Sequence, residues 1–229
     1  MSHSSRWKQR PPGSTWGDFG PDDQLGRMNL LTPQKVKQGM AEVHEGLTFN
    51  LSLPLDFPGG NVLNPRRMPP VLRPTLRNGK PNLNYRLIAD DPNCTDVVSD
   101  DLVVMHLQYS TQWDSLAHVG SMFDADGDGI AEAVYYNGWR AGVDVVGPSS
   151  AAQAGVFGGL DIARESTSQA KALGIENMSA RCVQGRAVMI DLHAHLGRGR
   201  VAVDHDMLMD IMTKDGVSVE AGDMVCLHT

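Results

Sequence analysis

The 229-residue sequence has only three cysteines, Cys94, Cys182 and Cys226, widely spaced and odd in number. That excludes a disulfide-stapled secreted scaffold and fits reduced, mostly structural thiols in a cytosolic protein. No window approaches the ~20 apolar residues that a membrane-spanning helix needs. Residues 1–14 are polar, with Pro11, Pro12 and Gly13, and carry no apolar run of the kind a signal peptide has. A dense Lys/Arg stripe is missing too. The net charge of −7 argues against nucleic acid or an anionic membrane as the main partner. There is no P-loop, no dinucleotide fingerprint, and neither of the common serine-hydrolase and zincin motifs. Internal repeats and low-complexity tracts are also lacking. The expectation is a soluble, cytoplasmic protein.

The composition is 41% hydrophobic and 21% charged, ordinary for a globular chain able to bury a sizeable core. Residues 1–24 read as an arm with Trp7 and Trp16 as anchors, and residues 25–229 as one domain. Thr32-Pro33 signals a capped helix start, after which Val36, Met40, Val43 and Leu47 recur at helical spacing and Gly46 marks the stop. In 48–53, Phe49, Leu51 and Leu53 alternate with polar residues, which predicts a strand with one buried face. Residues 54–92 are rich in Pro, Gly, Asn and Arg, and predict a long loop that packs near an active site or a subunit interface, or lies plainly on the surface. Residues 124–129 predict a Gly/Asp turn, 159–173 a helix, and 187–192 a strand buried on both faces. Asp204 caps a predicted helix bearing Leu208, Ile211 and Met212, stopped by Gly216. Residues 223–229 open a core strand and end there, so the chain reads as a fragment or a shortened form. The mixture points to an α/β or α+β domain.

The chemistry concentrates in 102–118. If 102–114 is a strand, Val103, Met105, Leu107 and Tyr109 face one way and His106, Gln108, Ser110, Gln112 and Asp114 the other, with His118 just beyond a turn. One face suits a core; the other is a row of ligating and hydrogen-bonding groups.

The run Gln108-Tyr109-Ser110-Thr111-Gln112-Trp113-Asp114-Ser115-Leu116-Ala117-His118 resembles the cyclase-family signature His-x-Gly-Thr-His-x-Asp-x-x-x-His. That family includes bacterial kynurenine formamidases and isatin hydrolases. Weaker likenesses follow in the family's order: Trp16-Gly17, Asn29 to Pro33, Leu51 to Pro54, Gly185 to Asp191, and Gly222 to Val225. The resemblance implies a cyclase-type swivelling β/β/α domain, with a mixed sheet or barrel-like core flanked by helices. It implies a metal-dependent hydrolase of a small amide or cyclic amide, arylformamidase-like and of the tryptophan-catabolism type, in which metal-activated water attacks a carbonyl. A homodimer or homotetramer is implied as well. Dehydration or ring closure on the same scaffold, and a degenerate member that only binds a small molecule or a partner, are the competing readings.

Carried onto this sequence, the resemblance puts His118 in the acid/base position and Asp114, Gln112 and Gln108 in the metal positions. His106 and Trp113 are additional site candidates, the first as a substitute ligand and the second as pocket wall or core. The implied cofactor is a divalent metal, zinc or manganese. Gln108 and Gln112 stand where the family has histidine, and an amide oxygen is a weaker donor to zinc than imidazole. A harder ion, recruitment of His106, and loss of metal all remain open. The family's further His and Glu ligands fall beyond residue 229.

Two other patterns attract attention. His193 and His195 alternate after the strand ending at Asp191, and would share one face as a ligand pair or a solvated strand end. Asp124, Asp126, Asp128 and Gly129 imitate the start of a calcium loop, but Tyr135 stands at position 12 in place of glutamate. An acidic turn is the better reading.

Overall fold

The computed structural model describes residues 6–61, 63–150, 153–154 and 166–229. The chain divides into two compact units, Thr48–Asp114 on one hand and Met1–Leu47 with Ser115–Thr229 on the other. Both are built from short elements. Among the described residues every sheet has two strands and none closes into a barrel. The class is mixed α/β. No helix of the described residues is long and apolar enough to cross a membrane.

In the larger unit, helix α1 (Pro33–Ala41) starts as the sequence predicts. Thr32 accepts the Lys35 amide through its side chain and Pro33 occupies the first turn. The helix stops at Ala41, short of Gly46, so Val43 and Leu47 are exposed. Gly39 is required by close approach: a Cβ there would lie 2.5 Å from the Gly185 carbonyl oxygen.

The smaller unit holds β1 (Val71–Pro74), β2 (Leu76–Arg77), β3 (Lys80–Pro81), β4 (Tyr85–Arg86), β5 (Val97–Val98) and β6 (Asp101–Val104). They pair antiparallel as β1–β6, β2–β3 and β4–β5. The expected long loop over 54–92 is therefore partly structured. Its missed signal is Asn78-Gly79, both at positive φ, which is the two-residue hairpin turn that joins β2 to β3. The strand expected over 48–53 does not form, and Phe49 and Leu51 are exposed. Alternation needs a partner strand to become a ladder, and none of the described strands pairs there.

The rest of the larger unit comprises β7 (Ser121–Phe123), β8 (Glu132–Val134), β9 (Val145–Val146), β10 (Gln169–Ala170), α2 (Ile175–Arg181), β11 (Ala187–Asp191), α3 (Leu192–Leu196), α4 (His205–Asp215) and β12 (Met224–His228). The helix expected over 159–173 falls partly outside the described residues. Within 166–173 the chain forms β10 instead. Asp204 caps α4 through the Met207 amide, and Gly216 ends it in the left-handed conformation. Strands β11 and β12 run parallel, Ala187 beside Met224 and Asp191 beside His228. Burial of β11 on both faces is not observed: Ile190 is buried while Met189 is exposed. The covered face packs through Ile190, Leu192 and Ile211 against Leu196, Met207 and Leu208.

Two side-chain networks tie this unit together. Asn137 is wholly buried in the left-handed region, at φ 57° and ψ 26°. Its amide accepts the Gly17 N–H at 2.8 Å and donates to the carbonyls of Gly20 and Pro21, each at 3.0 Å, and of Asp23 at 3.2 Å. Trp16 and Trp7 thereby sit against Val134 and Phe123, the anchoring role expected of them. The second network joins α1 to the turn before β12. Lys35 Nζ donates to Asp223 at 2.8 Å and to Glu220 at 3.0 Å, and Arg186 pairs with both acids. The Asp223 side chain is fully screened from solvent. Burial opposes its ionisation, but Lys35, the Glu220 N–H and Arg186 outweigh that and hold its carboxyl below the usual range. Lys35 is raised above the ordinary lysine value, chiefly by Asp223 and against burial.

Replacing Asn137 by Ala leaves the partly buried Gly17 N–H and the Asp23 carbonyl without this partner, while the carbonyls of Gly20 and Pro21 keep the Asp23 N–H and Arg6. Since an unpaired buried polar group costs about 1–3 kcal/mol, the expected loss is on the order of 3 kcal/mol in urea denaturation. Asn137→Gly, which keeps the backbone conformation, should lose most of that as well. The acid network makes a separate forecast. A depressed Asp223 contributes stability that is present above the ordinary carboxylate pKa and lost as pH falls through the folded one. The raised Lys35 contributes stability that is present below its ordinary pKa and lost as pH rises through the folded one. Lys35→Met should lower the Tm at neutral pH and flatten its decline between about pH 5 and 2, measured by calorimetry across that range.

Candidate functional site

The segment singled out by the sequence leaves regular structure early. Strand β6 ends at Val104, and residues 105–115 form turns, bends and irregular backbone. The expected strand over 102–114, with its single polar face, is corrected accordingly. The reason is visible in the hydrogen bonds. Past Val104 none of the described strands continues the ladder, and side chains satisfy the backbone instead. Tyr109 donates from its hydroxyl to the Gly60 carbonyl at 2.8 Å and Ser110 to the Pro54 carbonyl at 2.7 Å. Thr111 Oγ1 accepts the Leu53 N–H at 3.1 Å. Leu107, expected in the core, is 66% exposed.

The predicted site residues are distributed as follows. His106 is half-buried, its Nδ1 meeting the Met68 N–H at 3.2 Å and the Met68 carbonyl at 3.3 Å. Arg67 donates to the Gln108 carbonyl at 2.6 Å. Gln108, Tyr109 and Arg67 line a small cavity of about 150 Å³ together with Gly60 and Asn64. Gln112, Trp113 and Asp114 are exposed, so Trp113 does not pack in a core. His118 belongs to the larger unit. It is exposed and closes a turn through its N–H to the Ser115 carbonyl, beside the buried Ala117.

The residues at the signature's metal positions do not fit zinc. Two neutral amides stand where imidazoles would ligate. The Arg67 guanidinium is fixed against the backbone of Gln108, where its charge opposes a nearby cation.

Among the described residues, two groups have ligand atoms within 4.8 Å of one another: Asp124, Asp126 and Asp128, and Asp191, His193 and His228. In the first, Asp124 accepts the N–H groups of Gly127, Asp128 and Gly129, while Arg140 approaches Asp126 at 3.8 Å and pairs with Glu132. Backbone N–H groups engage the Asp124 carboxylate and the guanidinium lies near Asp126, the arrangement of an acidic turn.

The second group escaped the sequence reading. His193 and His195 lie on helix α3, where residues two apart point roughly 200° from each other. They are therefore not a ligand pair on a strand. His195 Nε2 meets Asp215 at 2.9 Å. His193 turns to β12 and stacks near His228, ring centroids 5.2 Å apart. His228 Nδ1 lies 2.9 Å from Asp191 Oδ1. The Asp191 carboxyl is held below the ordinary range, first by the Ala194 N–H, then against burial by His228 and His193. A signal did exist: two apolar runs, 187–190 and 224–227, each followed directly by an ionisable residue, Asp191 and His228.

Fold and site together define a mixed α/β protein whose polar groups gather at strand ends and in irregular connections. Residues 49–229 match the family model described as "Putative cyclase", and the chain belongs to that family. It is also similar to a crystal structure of a novel cyclase, at 26% identity and a TM-score of 0.65 over 93% of this chain. The alignment covers 60% of that protein's length. No curated protein matches.

Arg67 is the clearest anchor of the signature segment. Arg67→Ala should speed hydrogen exchange at the amides of 106–110 by about tenfold, the equivalent of ~1.4 kcal/mol for one charge-assisted bond. Amides in β11 should serve as an unaffected reference.

Proposed function

We propose that this cyclase-family chain is a hydrolase of a small amide or cyclic amide, arylformamidase-like, with His118 moving the proton. The observation that carries this reading is the position of the segment 108–118 inside the matched region. Asp114 and His118 keep the residue types of the signature there, and both are solvent-accessible. Histidine is the side chain best suited to general acid–base work near neutral pH. His118 would take the proton from an attacking water and return it to the departing nitrogen. Asp114, at the signature's carboxylate position, would hold positive charge. The swivelling β/β/α arrangement belongs to this reading.

A divalent metal, zinc or manganese, is part of what the resemblance implies. The donor chemistry at 108 and 112 disfavours zinc, and proton transfer by His118 draws only on the protein's own groups. Self-association as a homodimer or homotetramer also belongs to this proposal. It is supported by apolar side chains of the 48–114 unit, such as Phe49 at 79% and Leu51 at 74% exposure, because exposed apolar patches mark association surfaces.

A panel of N-formyl anilines, isatin-like lactams and cyclic imides tests the reading. Turnover of at least one class is expected, with His118→Ala lowering kcat by about 10²–10⁴-fold and Asp114→Ala reducing kcat/KM. Light scattering should report a dimer or tetramer. Gln108→His with Gln112→His should raise zinc affinity if the segment still forms the family's site. No turnover on any class, or full activity in His118→Ala, would overturn the assignment.

A further inference from the structure

The strongest unassigned feature lies at the carboxyl ends of β11 and β12. We propose that Asp191, His193 and His228 form a binding site for a divalent transition metal of the zinc class, distinct from the signature segment. Each residue has its own support. Asp191 is the last residue of β11 and caps α3 through the Ala194 N–H at 2.9 Å, which fixes its carboxylate. His228 is the last residue of β12 and lies directly beside Asp191 in the parallel register. His193 is delivered by the first turn of α3, whose neighbour Leu192 is buried.

The donor set is the decisive point. Two imidazoles and one carboxylate make up a common catalytic zinc set, and the same set serves non-haem iron. The signature segment offers amides in the corresponding places. The ligand atoms of Asp191, His193 and His228 lie within 4.8 Å of one another. Two donors bonded to one ion at ~2.0–2.2 Å lie at most ~4.4 Å apart, so closing the site needs only small side-chain rotations. One carboxylate partly offsets the ion's charge, leaving the site cationic toward a ligand. His193 and His228 also line a cavity of about 540 Å³ with Leu196, Arg198, Val201 and Val203. That volume falls in the range of small-molecule pockets, and three protein ligands leave coordination positions free for water or a bound anion. The outer ends of parallel strands are also where α/β sheets place their ligands.

The Asp124–Asp126–Asp128 group provides a contrast inside the same chain. It presents three carboxylates and no imidazole, its Asp124 carboxylate already bonded to backbone N–H groups and Arg140 lying near Asp126.

The test is titration of the full 229-residue chain with CoCl2 and, in competition, ZnCl2. The expected result is one equivalent of Co2+ bound, with visible d–d absorption that Zn2+ abolishes. His193→Ala and His228→Ala should each weaken binding by about 100-fold or more, beyond the 10–100-fold of an outer-shell loss. His195→Ala, Asp114→Ala and Asp124→Asn should leave it intact. Because Asp114→Ala disables the proposed hydrolytic segment, loss of turnover there with Co2+ binding preserved separates the two readings. Should a histidine variant unfold by circular dichroism, wild-type protein supplies a second readout: Zn2+ should protect His193 and His228, but not His205, from diethyl pyrocarbonate in mass spectrometry. No Co2+ binding by the folded chain, binding unchanged in both histidine variants, or equal labelling with and without Zn2+ would overturn the proposal.

Discussion

The larger unit depends on a single buried carboxamide. Asn137 adopts a left-handed backbone that other non-glycine residues reach only at a cost, and uses it to aim its side chain into the loop 17–23. It satisfies the Gly17 N–H and the Asp23 carbonyl, and joins the Asp23 N–H and Arg6 as a further donor to the carbonyls of Gly20 and Pro21. Asp23, held by this loop, then accepts from the Tyr136 hydroxyl, the Gly26 N–H and the Asn29 amide. Burial and this carboxylate push the Tyr136 hydroxyl well above its ordinary pKa, so it stays a neutral donor. The short helical turn Gly26–Leu30 follows, then α1, and Lys35 on α1 carries the connection to Asp223 at the foot of β12. A chain of polar contacts thus runs from the amino-terminal loop to the strand that ends in His228.

Local chemistry made some of this legible in the sequence. Thr32 with Pro33, and Asp204 with Gly216, start or stop helices through bonds made within a few residues, so reading them needs no knowledge of distant partners. The acidic turn after Asp124 is of the same kind. The apolar run 187–190 announced a strand for the same reason. The failures were those of alternation. Residues 48–53 and 105–114 carry the period-two pattern of strands, but a strand exists only if another offers a ladder. At 105–114, Tyr, Ser and Thr side chains bond the backbone first. The likeness to the cyclase family was legible because it rests on residue order. The two glutamines showed equally early that the family's ligand chemistry is altered in this chain.

His193 is the instructive case. Its spacing from His195 suggested one shared face, which would follow on a strand. The Asp191 carboxylate ends the strand by capping α3, and on a helix the same spacing sends the two rings in different directions. One capping bond therefore decides which partner each histidine meets: Asp215 for His195, and Asp191 with His228 for His193. Sequence alone could not reveal the partner contributed by β12, thirty-five residues downstream by the numbering.

The two polar regions differ in what positions them. The side chains of 106–114 hang on irregular backbone fixed by individual bonds to Gly60, Pro54, Leu53, Arg67 and Met68. Each such bond can exchange with water at little net cost, since a protein–protein hydrogen bond replaces a hydrated one. Asp191 and His228 are instead set by the ladder of a parallel strand pair, and His193 by a helix whose first residue is buried against Ile190 and Ile211. Displacing any of the three requires disturbing backbone pairing or a packed apolar cluster. Coordination chemistry demands placement to within about half an ångström, and regular elements supply that more readily than side-chain bonds along a loop. The two loop positions carry amides, whereas imidazoles stand at the end of the ladder and on the first turn of α3.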